Sequence, residues 1–168
     1  MTRLSARVPA RPILGIHPGI ILAVLDTIGL AIALYLAIVE VGGGVPACPT
    51  EGLGSGCVKV AQSEYSRIAG IPVAVYGVGL SLILLTLAIA WWKTDRYGLL
   101  LAHYGFSLAG VIFEAYFLYL QIFVIKGVCI WCTSYGLSLV ARFVIAFIVW
   151  LRQPPPDDEP AQGTGGPA

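Results

Sequence analysis

The chain has 168 residues, of which 58% are hydrophobic and 11% charged, with a mean hydropathy of +0.86 and a formal net charge of +1. So apolar and charge-poor a composition excludes a soluble globular domain and marks an integral membrane protein. Its few basic residues are scattered, which excludes the clustered positive footprint of a nucleic-acid binder.

Residues 1–18 carry Arg3, Arg7 and Arg11 among prolines. No small-residue cleavage site follows at signal-peptide length, so a short cytoplasmic tail is expected. From Gly19 to Val39 the chain is apolar except for Asp26, and these 21 residues match a hydrocarbon core about 30 Å thick. An outer loop, 40–70, separates this first span from the second, 71–92, where Pro72 sits in the tolerated first turn. The Lys93–Arg96 turn is polar. The third span, 97–125, has Glu114 as its only charge, and the fourth, 128–151, has only Arg142. The remainder, 152–168, is rich in Pro, Asp, Gly and Ala and reads as a disordered cytoplasmic tail. The expected fold is all-α: a four-helix transmembrane bundle with a capping outer loop, its membrane domain covering 19–151.

Arg3, Arg7, Arg11, Lys93, Arg96 and Arg152 fall on one side of such a bundle, against Lys59, Arg67 and Lys126 on the other. The positive-inside bias then puts both termini in the cytoplasm of a multi-pass protein of the cell (inner or plasma) membrane. All four cysteines, Cys48, Cys57, Cys129 and Cys132, fall at the extracytoplasmic surface, where disulfides persist. Within the loop, the glycine-rich stretch before Cys57 can move. After it, Val58, Ala61, Tyr65 and Ile68 recur at helical spacing, giving a short amphipathic helix on the membrane face.

Two thiol pairs on one membrane face point to an electron relay, because thiol–disulfide exchange passes two electrons between pairs through mixed disulfides. The competing reading is a structural or transport membrane protein with two structural disulfides. A Cys-x-x-Cys bridge closes so short a loop that it adds little stability, which favours the relay. A zinc site is disfavoured by the absence of histidine from the loop, so no metal is expected. Cys132 lies one turn deeper than Cys129, about 4.5 Å along a helix axis. A lipid-soluble two-electron acceptor reaching it from the bilayer is the natural end point, and a quinone of the menaquinone or ubiquinone type fits best.

Several stretches carry a resemblance to a known family. They are Ile28-Gly29-Leu30 with Ala33-Leu34-Tyr35-Leu36, then Cys57-Val58-Lys59-Val60 with Ser63, then Tyr65 to Pro72 leading to Tyr76-Gly77, and finally Cys129-Ile130-Trp131-Cys132. Together they resemble the bacterial and archaeal branch of the vitamin K epoxide reductase (VKOR) family. The DsbB-like quinone reductases order their cysteine pairs the other way. The resemblance implies that Cys48 is attacked by a thiol of a reduced partner, that Cys57 passes electrons to Cys129, and that Cys132 faces the quinone. It implies a thioredoxin-fold, DsbA-like donor, expected as a separate protein because the chain ends after its fourth span. An alternative is a quinone or vitamin K epoxide reductase whose useful product is the reduced quinone. Ser63, Ser66 and Tyr135 are the quinone-contact positions that the resemblance implies. Ser66 stands where the animal enzymes have an Asn, and Gly136 where they have a Tyr, with Tyr135 one residue earlier.

The charges within the spans complete the reading. Asp26 and Arg142 both lie roughly 10–14 Å from the inner ends of their helices and are expected to pair. Glu114, near the membrane middle, either serves the quinone or stands as a glutamic acid bonded to a neighbouring helix. His17 and His103 are expected to pack at the inner interface, and Trp131 to act as an interfacial anchor.

Overall fold

In a computed structural model, the residues described are 12, 15–48 and 51–152, with the side chains of 51–55 left aside. The tails expected at 1–18 and 152–168 therefore lie almost entirely outside the described residues. Among the described residues, four helices are long and apolar enough to cross a membrane. They are α1 (Pro18–Val41), α3 (Val73–Thr94), α4 (Tyr97–Tyr119) and α5 (Ile130–Arg152). A shorter helix, α2 (Glu51–Ala61), lies between α1 and α3, and α4 runs on through a π-helical turn, Leu120–Val124. The protein is an all-α, multi-pass membrane protein with four membrane-spanning helices.

The bundle is a ring in which α1 packs against α3 and α5, and α4 packs against the same two helices. Its outward face is apolar, with Ile38, Ile112, Phe123 and Leu137 among the most exposed side chains. In water such a surface would be a liability, whereas hydrocarbon solvates it at no cost. The interior is layered along the bundle axis. Leu22, Ala88, Trp91, Leu100, Ala146 and Val149 fill one end, and Ala33, Leu84, Tyr135 and Leu139 the middle. Cys57, Val60, Phe117, Leu120 and Cys129 fill the other end.

Between the first two layers lies a buried charged group. Arg142 donates from Nη1 to Asp26 Oδ1 at 3.2 Å, and His103 Nε2 pairs with Asp26 Oδ2 at 3.1 Å. All three side chains are essentially inaccessible to solvent. His103, expected as an interfacial packing residue, is instead the third member of this cluster and reaches Asp26 from α4. Arg142 also donates from Nε to the Ser138 carbonyl and from Nη2 to the Ser138 hydroxyl, so two further donors are used within α5. The guanidinium lies over Gly29, where any Cβ would overlap it. His17 caps α1, accepting from the Gly19 N–H at 3.0 Å, and its Nε2 meets Asp95 Oδ1 at 3.0 Å in the α3–α4 turn.

The outer loop departs from the expected pattern. Its helix starts six residues before Cys57 rather than after it, and stops at Ala61. Tyr65 lies in a 3₁₀ turn, Glu64–Ser66, and Ile68 in a two-stranded ladder, β1 (Arg67–Ile68) with β2 (Ile71–Pro72). Ala69 and Gly70 join the strands, both with φ near +50 to +80° (52° and 81°), as a two-residue primed turn requires. Tyr76 fixes the hairpin to α3 by donating to the Ile68 carbonyl at 3.2 Å.

Candidate functional site: two cysteine pairs beside an apolar cavity

The site is built where α2 lies across the turn that leads into α5. Glycine permits the approach: a Cβ on Gly56 would sit 2.9 Å from the Val128 nitrogen, and Gly127 meets the Gly56 Cα at 3.2 Å from its own Cβ position. This contact compensates for the poor helix propensity of a stretch with glycines at 52, 54 and 56. It also seats the fully buried Cys57 in one apolar cluster with the equally buried Cys129. Cys57 is disulfide-bonded to Cys48, and Cys129 and Cys132 are free thiols. The chain thus has its loop pair oxidised and its helix pair reduced.

Cys48 is held by a clamp that the sequence reading missed. Trp131 donates from Nε1 to the Ala47 carbonyl at 2.7 Å, and the Ala47 N–H donates to the Tyr35 hydroxyl at 3.0 Å. The two rings stand 4.7 Å apart. Trp131, expected only as an anchor, therefore ties the helix pair to the residue preceding Cys48. Cys48 itself is only partly buried, so of the two bonded sulfurs it is the one a partner thiol can reach.

Cys129 is the N-cap of α5. Its carbonyl accepts the first helical bond, from Thr133 N at 3.0 Å, and its sulfur lies 3.4 Å from the Cys132 N–H. Cys132 Sγ donates to Cys129 Sγ at 2.8 Å. That donor, aided by the N–H groups of the first turn, draws the Cys129 thiol below its ordinary value of 9.0. The thiol that shares a buried cluster with Cys57 thus ionises more readily than an ordinary cysteine.

The Cys129 N–H has its own partner, Gln121 Oε1, at 2.8 Å. Gln121 is fully buried in the π-helical turn, and its backbone carbonyl accepts from Gly127 N at 3.0 Å. The wider turn faces these groups toward the start of α5. Nothing in the apolar pattern of residues 97–125 signals it, although a glutamine eight residues before Cys129 is the visible trace.

Beneath the pairs lies a cavity of about 340 Å³, bordered by Cys132, Ser66, Gly77, Glu114, Phe117 and Tyr135 among others. Of the expected quinone contacts, Ser66 and Tyr135 border this cavity. Ser63 does not: it borders a separate outer cleft and donates to the Val60 carbonyl at 2.8 Å. Ser63 therefore closes the end of α2, whereas the Ser66 hydroxyl donates to the Ser63 carbonyl at 2.8 Å and closes the 3₁₀ turn that follows. Tyr135 contributes its ring, while its hydroxyl bonds the Gly77 carbonyl at 3.0 Å and Ser81 at 3.1 Å. The cavity's volume and mostly apolar walls fit a flat lipophilic ring of the quinone class.

Two closely spaced cysteine pairs, one oxidised and one reduced, meeting beside an apolar cavity in a four-span bundle, form an arrangement suited to thiol-based redox chemistry. Family membership is decided by sequence over most of the chain. Residues 20–147 match the model of the Vitamin K epoxide reductase family, a stretch that takes in every residue of the site, and the chain belongs to that family of membrane oxidoreductases.

Proposed function

We propose that this protein oxidises an extracytoplasmic, DsbA-like thioredoxin-fold protein and delivers the electrons through its two cysteine pairs to a membrane quinone, supporting disulfide bond formation. The observation that carries the reading is the packing of the buried Cys57 against Cys129, with Cys132 opening on the apolar cavity. Free thiols at Cys129 and Cys132 favour a relay over two structural cross-links.

The steps follow from accessibility. A partner thiolate attacks Cys48, the reachable sulfur, and displaces Cys57 as a thiolate; the partner's second thiol then releases Cys48 and leaves with a disulfide. Cys57 attacks Cys129 of the oxidised helix pair, freeing Cys132, and Cys48 closes back on Cys57. The two electrons then reside on Cys129 and Cys132. A bound quinone supplies a two-electron, two-proton acceptor. Ser66, Tyr135 and the apolar walls would hold its ring against Cys132, and the Cys129 thiolate is placed to close the disulfide. In this reading both termini are cytoplasmic and the cysteines lie on the outer face.

The test uses a reduced thioredoxin-fold partner stripped of its resolving cysteine. It should form a covalent complex with the oxidised protein that is visible without reductant and lost in Cys48→Ser. A complex that forms equally well without Cys48 would contradict the entry point.

A further inference from the structure

The cavity beside Cys132 has mostly apolar walls, yet a carboxyl borders it from the middle of α4. Glu114 is half-buried and faces the same space as Cys132. Helix α5 makes room for it: a Cβ on Gly136 would lie 2.5 Å from Glu114 Cγ and 2.6 Å from Oε1. Gly136 follows Cys132 by four residues, so the two share a helix face about 6 Å apart along the axis. The carboxyl therefore meets α5 one helical turn beyond Cys132, on the wall of the same cavity. An ionisable group at this depth is costly and calls for a function. The neighbouring Tyr135 hydroxyl is already committed to Gly77 and Ser81.

We propose that Glu114 is a catalytic residue of the acceptor step, donating a hydrogen bond and then a proton from its carboxyl to a quinone oxygen. The assignment rests on the thiol-to-quinone reading above. Its balance is complete. The Cys129 thiolate and Cys132 thiol form one S–S bond and give up two electrons and one proton, and the Glu114 carboxyl gives the second proton. The products are a hydroquinone, a disulfide and the Glu114 carboxylate, which recovers its proton from water. Gly136 is the complement to this carboxyl: any side chain there would displace Glu114.

The test compares wild type with Glu114→Gln and Glu114→Asp in detergent or liposomes, with a short-chain quinone as probe. Cys132 and Tyr135 on α5, Glu40 on α1 and Tyr76 on α3 also border the cavity, so pH profiles are taken on all three proteins. Glu114→Gln should slow quinone reduction by about 10²-fold or more while partner-to-loop thiol exchange keeps its rate, and Glu114→Asp should recover part of the loss. Independently of turnover, adding quinone to the oxidised wild type should shift a protonated-carboxyl infrared band that Glu114→Gln lacks. Wild-type turnover in Glu114→Gln, or a wild-type band unmoved by quinone, would overturn the assignment alone. A wild type that exchanges thiols but reduces no quinone would overturn the functional reading and this assignment together. Should Glu114→Gln fail to fold, the wild-type infrared shift and Glu114→Asp still decide.

Discussion

Arg142 and Asp26 meet at 3.2 Å, with neither side chain accessible to solvent, and so join α5 to α1 inside the bundle. His103 adds α4 to the same carboxylate. Removing one partner strands a charge where no water can reach it, which typically costs about 3–5 kcal/mol. Asp26→Asn and Arg142→Gln should each lower the unfolding midpoint in detergent strongly, and His103→Phe less so. Equal stability of all three with wild type would remove the cluster's structural role.

Gly29 allows that cluster to form. A methyl at this position has no space beside the Arg142 guanidinium, so Gly29→Ala should destabilise by about 1–3 kcal/mol. Combined with Arg142→Gln, the same change should cost far less than its cost alone, because the clash is gone. A double-mutant cycle measures the coupling.

Gly56 sets the reach between the pairs. Gly56→Ala would lift α2 off the Val128 backbone and move Cys57 away from Cys129. A displacement near 1 Å costs about 10²-fold in rate when the reacting groups must be aligned. Stopped-flow exchange should show slow transfer from the loop pair to the helix pair, with the first attack on Cys48 little changed.

Much of this was legible in the sequence. Long apolar runs required four spans, and Asp26 and Arg142, isolated at similar depths, called for each other. The cysteine spacing showed the two pairs. What stayed hidden depends on tertiary contact. His103 looks like any polar residue near a helix start until α1 is placed across from it. The helix over 51–61 contradicts the propensity of its glycines and needs the 126–129 turn to dock against. Gln121 and the Tyr35–Trp131 clamp act on backbone groups, which leave no periodic mark, and the Glu114–Gly136 fit exists only between two helices.

The low Cys129 value gives a pH prediction. In a Cys48→Ser, Cys57→Ser background with the helix pair reduced, thiolate absorbance should rise at a lower pH than for an ordinary cysteine, and Cys129→Ser should abolish that early rise. Because folding lowers the thiol's value, the reduced form gains stability as pH rises from the folded value to the unfolded one, and loses it as pH falls through the folded value. A thiolate transition at or above the ordinary value would contradict the N-cap account.

The relay itself is tested most directly by stoichiometry. Purified protein in liposomes, given a reduced thioredoxin-fold partner and a soluble quinone, should oxidise one partner dithiol for each quinone reduced, and Cys132→Ala should stop quinone reduction while the partner still exchanges with the loop pair. Sustained quinone reduction by Cys132→Ala, or partner oxidation with no matching loss of quinone, would contradict the account.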